Sequence, residues 1–229
     1  MKLIEFENSS ALDTALVSKV TELLIGAINK RGSASLVVSG GRTPLAFFHL
    51  LSQQVLDWSK VVVTLADERW VDADHGDSNE KLVRENLLIN EAHTAAFIPL
   101  KNAAMDAAEG EIQTESDIEQ MGQFTVVILG MGDDGHTASL FPGAETLALG
   151  LDMNSGRSAI AVTPTAAPHQ RMTLTVPRLL NSQQIIIHIS GAGKQAVLKA
   201  AQAGEDITEL PIRAMLNQQV APLSIFWAK

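Results

Sequence analysis

Short runs of consecutive apolar residues alternate along this chain with stretches whose apolar positions recur every three or four residues. In residues 12–28 the positions Leu16, Val20, Leu23, Leu24 and Ala27 share one face of a 3.6-residue period, which predicts a helix. Residues 35–39, Ser-Leu-Val-Val-Ser, show no such period and predict a buried strand. Residues 44–56 predict a helix with Pro44 in its first turn. Further strands are predicted at 61–66, 124–129, 159–162, 172–176, 184–190 and 223–227. Helices are predicted at 79–88, capped by Ser78 or Asn79, and at 194–203. The polar, acidic stretch 103–123 reads as a surface excursion.

Continuous apolar strands separated by helices imply an α/β fold, a mostly parallel sheet with helices on both faces. No repeat, low-complexity segment or Gly/Ser/Pro linker interrupts the chain, so residues 1–229 read as one domain.

Charge narrows the partners. Twenty-six acidic residues against 17 basic ones give a net charge of −9, which argues against nucleic acid or an anionic membrane. A small anionic ligand stays open, because a few cations converging on a pocket outweigh a negative surface locally. There is no cysteine, so thiol catalysis and thiolate metal sites are excluded. Glu5 and Glu7 stand where a signal peptide would run apolar, and no apolar run approaches the roughly 20 residues of a membrane helix. A cytoplasmic protein, a monomer or small homo-oligomer, is expected.

Ligands of open parallel sheets bind beyond the carboxyl ends of the strands, so the residues that follow each strand carry the candidate chemistry. Ser39-Gly40-Gly41-Arg42-Thr43-Pro44 offers a tight turn with bare N–H groups before a helix, which suits an anion; the plainer alternative is a capped turn. Asp67-Glu68-Arg69 crowds three charges at a strand end, for a polar ligand or as a surface pair with Arg69. Residues 130–135 spell G-x-G-x-x-G, but Asp133 and Asp134 would repel a pyrophosphate. The better reading makes His136 a base at the site's mouth, with Asp134 two residues before it fixing the tautomer. Gly191-Ala192-Gly193-Lys194 repeats the turn, helix and cation arrangement without a full phosphate-loop motif. The segment 72–77 is rich in Asp and His but lacks the spacing of a hard-ion loop, so it reads as solvated and no metal is assigned. His188, inside an apolar strand, reads as a satisfied core residue.

In chain order the motifs S-G-G-R-T-P, D-E-R-W-V, D-S-N-E-K-L-V-R-E-N-L-L, G-M-G-D-D-G-H-T-A-S-L-F-P, R-M-T-L-T and G-A-G-K resemble the glucosamine-6-phosphate isomerase/6-phosphogluconolactonase family from about Ser35 onward. The resemblance implies a Rossmann-like α/β domain that hydrolyses 6-phospho-D-glucono-1,5-lactone to 6-phosphogluconate in the oxidative pentose phosphate pathway, with no cofactor or metal. It implies Gly41, Arg42 and Thr43 in the sugar-phosphate site, Arg171 and Lys194 on the phosphate, and Asp67, Arg69 and His136 around the reacting carbon. Arg42 stands where many relatives carry Ser, and His169 where they often carry a second Pro. The rival readings are an amino-sugar-phosphate isomerase or deaminase and a non-catalytic sugar-phosphate sensor. Deaminase relatives follow G-H with a run ending N-E-P; here Phe141 fills the carboxylate position.

Overall fold

The computed structural model describes every residue except Ala166. The chain runs β1 (Lys2–Phe6), α1 (Ser9–Arg31), β2 (Ala34–Val38), α2 (Leu45–Ser52), β3 (Val61–Leu65), β4 (Asp67–Arg69), α3 (Asn79–Asn86), β5 (Ala96–Ile98) and α4 (Ala107–Glu119). It continues through β6 (Val126–Leu129), α5 (Leu147–Leu151), β7 (Ala159–Val162), β8 (Arg171–Leu174), α6 (Val176–Leu180), β9 (Ile185–Ser190), α7 (Ala192–Gln202), α8 (Arg213–Leu216) and β10 (Leu223–Ala228).

Seven strands form one sheet in the order β1-β10-β9-β6-β2-β3-β5, with every pair parallel. Every residue of β2 and of β6 is buried, as a strand covered by helices on both faces requires. α1 buries Leu12, Leu16, Val20, Leu24 and Ala27, the stripe its period predicts. Asn8 caps its start by accepting the Ala11 N–H at 2.9 Å, and Gly32, at φ +80°, closes its end. From β2 the chain builds outward through β3 and β5; from β6 it builds the other way through β9 and β10. The loops after β2 and β6 therefore part, and a crevice opens between them at the carboxyl edge.

A second sheet, β4-β8-β7, is antiparallel. Ala66 is the junction: its N–H donates to Val38 O of the first sheet at 2.8 Å, and its carbonyl accepts from Leu174 N of the second at 2.9 Å. The chain bends there, so β4 leaves the plane of β3 and carries its charged residues over the crevice.

Several expectations need correction. The stretch 103–123 holds a helix, α4, capped by Asp106. Its acidic face is used: Glu111 and Glu115 take Arg157 at 2.7 and 2.9 Å and accept the backbone N–H groups of Ala161 and Ser158. The strands near 159–162 and 172–176 belong to the antiparallel sheet. α2 stops at Ser52, whose hydroxyl donates to His49 O, and the Trp58 indole N–H donates to Gln54 O just beyond the helix end. Among the described residues no helix is long and apolar enough to cross a membrane.

Candidate active site

A cavity of about 250 Å³ occupies the crevice. Gly40, Gly41, Thr43, Asp67, Arg69, His136 and Lys194 line it. The turns after β2, β3, β6 and β9 all contribute. Arg42 and Arg171 are not among the lining residues, and Asp134 stands behind His136.

The turn after β2 fits glycine for two separate reasons. Gly41 has φ +94°, which L side chains rarely adopt. A Cβ on Gly40 would sit 1.9 Å from Asn79 Oδ1. Asn79 is held there because its Nδ2 donates to Asp67 O at 2.8 Å. Arg42 is exposed and does not line the cavity.

In β4 successive residues face opposite ways. Asp67 is buried and accepts the Ser139 hydroxyl at 2.6 Å. Glu68, on the other face, is no surface partner of the Arg69 side chain. Its carboxylate sits at the start of α3, accepting the N–H groups of Asn79 and Glu80 at 2.7 Å and the Ser78 hydroxyl at 3.2 Å. Burial pushes its pKa up, and these N–H donors oppose the shift. Arg69 donates through Nη1 to Asp77 O at 2.5 Å. Directly across the ladder stands Arg171. Arg171 is buried, its Nη2 donates to Pro168 O at 3.0 Å, and its Nε has no partner. Burial first, and the nearby Arg69 second, hold its pKa below the usual guanidinium value.

The loop after β6 is folded around His136. Gly132 N donates to His136 O at 2.8 Å, and the Thr137 hydroxyl donates to Gly130 O at 2.9 Å. Asp134 Oδ1 accepts the His136 backbone N–H at 3.1 Å and meets its Nδ1 at 2.5 Å. With Nδ1 donating to that carboxylate, Nε2 carries the lone pair. The ring packs on Phe141, centroid to centroid 4.3 Å. The dinucleotide reading fails structurally as well. The Gly132 N–H is already used, and the next helix begins only at Leu147.

Lys194, near the start of α7, is bonded to Asp133 at 2.6 Å, which lowers the Asp133 pKa. Asp133 is 89% exposed, so this is a surface pair worth about 0–1 kcal/mol. α7 has no side-chain cap, and Gly191 at φ +91° lets the chain enter it.

Three residues escaped the sequence reading. Ser139 stands inside the G-H-T-A-S-L-F-P motif, but its partner Asp67 is 72 residues away. Asn79 reads only as a helix cap; Ser78 makes the cap, and Asn79 turns to Asp67. His188 is buried, as expected inside an apolar strand, and it also lines the cavity. Its Nε2 stands 3.4 Å from the buried Asp13, whose Oδ1 finds no hydrogen bond. Burial pushes the Asp13 pKa up to about 6 and that of His188 down to about 4. Asp72, Asp74, His75 and Asp77 are exposed.

The family described as glucosamine-6-phosphate isomerases/6-phosphogluconolactonase matches residues 7–227. The chain is 46% identical over 224 residues to a 6-phosphogluconolactonase of Rhizobium meliloti, covering 97% of each. It is 41% identical over 227 residues to one of Pseudomonas putida, covering 99% of this chain and 93% of that one. Among solved structures, a 6-phosphogluconolactonase from Shewanella baltica superposes with a TM-score of 0.98 at 45% identity, covering 100% of this chain and 98% of the other.

Proposed function

The chain belongs to the glucosamine-6-phosphate isomerase/6-phosphogluconolactonase family, and on that premise we propose that it hydrolyses 6-phospho-D-glucono-1,5-lactone to 6-phosphogluconate, in the oxidative pentose phosphate pathway of the cytoplasm. The observation that carries the reading is the Asp134–His136 pair at the cavity. It supplies an oriented imidazole with one free nitrogen.

The chemistry follows from that nitrogen. A water lies between His136 Nε2 and the lactone carbonyl carbon. Nε2 takes its proton as the oxygen adds to the carbon, and Asp134 stabilises the imidazolium. Arg69 and backbone N–H groups stabilise the oxyanion. When the tetrahedral species collapses, the ring C–O bond breaks and the imidazolium returns its proton to the leaving oxygen. The Gly40–Thr43 turn and Lys194 hold the phosphate, with Arg171 adding its field from behind Arg69; that grip orients the carbonyl. In this reading Asp67, which Ser139 holds by a 2.6 Å hydrogen bond, serves beside the reacting carbon.

Phe141 against His136 favours lactone hydrolysis over deamination, because it puts an aromatic face where a second titrating group would be needed. The test is hydrolysis of freshly generated 6-phosphogluconolactone against the buffer background, beside ammonia release from glucosamine 6-phosphate. Acceleration of the first and none of the second is expected. Ammonia release would favour the deaminase, and binding without turnover a sensor.

A further inference from the structure

We propose that His75, Asp77 and His169 form a binding site for a divalent transition-metal ion of the zinc class at the rim of the cavity. The three residues come from two loops far apart in sequence, 72–78 and 168–171. His169 Nε2 lies 3.1 Å from Asp77 Oδ2, and His75 Nδ1 lies 3.9 Å from the same oxygen. One donor atom from each residue falls within 4.8 Å of the others. Around a tetrahedral ion with bonds of about 2.0–2.2 Å, donor atoms stand roughly 3.3–3.6 Å apart, so small side-chain rotations close the site.

The donor set selects the ion. Two imidazoles and one carboxylate suit zinc, cobalt or nickel; calcium and magnesium call for a shell of oxygens. All three side chains are at least partly open to solvent, leaving a fourth position for water. The backbone supports the arrangement independently. His169 adopts φ +66°, the left-handed region that non-glycine residues seldom occupy, while its ring meets Asp77 and stacks edge-on to His75 at 5.5 Å. His75 Nδ1 accepts the Asp77 N–H at 3.0 Å, a bond that ion binding exchanges. The same loops hold the arginines: Asp77 O accepts from Arg69 and Pro168 O from Arg171. An ion here ties both loops together above the cavity.

The test is a titration of the full chain with Co²⁺, followed by its visible d–d absorption. One equivalent should bind with the intense spectrum of a four-coordinate site. Zn²⁺ should displace it, and Mg²⁺ should not. His169→Asn keeps a residue tolerant of the left-handed backbone but removes the imidazole. It and His75→Gln should each weaken binding at least about 10–100-fold, the loss known for mere outer-shell partners of metal ligands. His93→Gln, on an exposed turn, should change nothing. Unchanged Co²⁺ binding in either ligand variant, or equal competition by Mg²⁺, would overturn the site.

Discussion

Arg69 and Arg171 face each other as a directly opposed pair on β4 and β8, two guanidinium groups in register across an antiparallel ladder. Like charges in this relation destabilise a sheet, by roughly 0.2–1 kcal/mol for such pairs. Arg171 is moreover buried with its Nε unpartnered. An anion bound in the cavity relieves the repulsion, and the field of Arg171 adds to the proposed grip on the substrate phosphate.

Arg171→Gln should therefore leave stability nearly unchanged or slightly higher while raising KM for the phosphorylated lactone. Arg171 does not line the cavity, so only its field is lost, and the rise should stay below the roughly 10–100-fold (about 1.5–3 kcal/mol) of a direct charged contact. KM for unphosphorylated gluconolactone should barely move. Equal losses on both lactones would assign Arg171 to strand pairing instead.

Gly40→Ala tests how the turn after β2 is coupled to β4. The new Cβ cannot coexist with Asn79 Oδ1 at 1.9 Å, so either the turn or the Asn79 side chain must move. Moving Asn79 breaks its bond to Asp67 O. Activity should fall sharply, and adding Asn79→Gly should recover part of it, with a coupling of about 0.5–3 kcal/mol in a double-mutant cycle. Additive losses would show that the two residues act separately.

Some of this was legible in the chain and some was not, for physical reasons. β2, β6 and β9 announce themselves because burial on both faces demands unbroken apolar runs. α4 does not, because its buried positions are Ala107, Gly110, Thr114 and Ile118, which sit on one face but make no apolar stripe. β1 lies at the sheet edge with mixed exposure, and β4 and β5 have three residues each. The turns of the site were readable from glycine and charge. Glu68 as a helix cap and Ser139 as the partner of Asp67 were not, since both roles exist only once β4 folds back over the first sheet.

Asp13 and His188 predict opposed pH effects on stability. Asp13, raised to about 6 from 3.8, binds protons more tightly folded than unfolded, so its contribution to stability falls as pH rises from 3.8 to 6. His188, lowered to about 4 from 6.5, binds them less tightly folded, so its contribution rises as pH climbs from 4 to 6.5. The two nearly cancel in the intact chain. Asp13→Asn should leave the His188 slope alone, giving a protein that loses stability on acidification from pH 6.5 to 4. His188→Gln should lose stability in the opposite direction, from 4 to 6. Urea midpoints measured across that range give both signs, and matching slopes in the two variants would mean that the groups titrate elsewhere.

His136→Asn is the decisive test of the proposed base. Asn fits the loop and keeps a polar group against Asp134, but it accepts no proton near neutral pH. If Nε2 takes the proton from water, kcat should drop by about 10²–10⁴-fold, the range for a positioned acid–base group. KM should change little, because the Gly40–Thr43 turn and Lys194 are untouched. Asp134→Asn should lower kcat in the same direction, since an amide neither holds the Nδ1–H tautomer as firmly nor stabilises the imidazolium. A folded His136→Asn enzyme with near-normal kcat would reduce the imidazole to a brace for its loop, a role that the Gly132 N–H to His136 O bond already fills with backbone alone. The base would then be sought at Asp67. That carboxylate lines the same cavity, but it is tied to Ser139 at 2.6 Å and would have to give up that bond to reach a water.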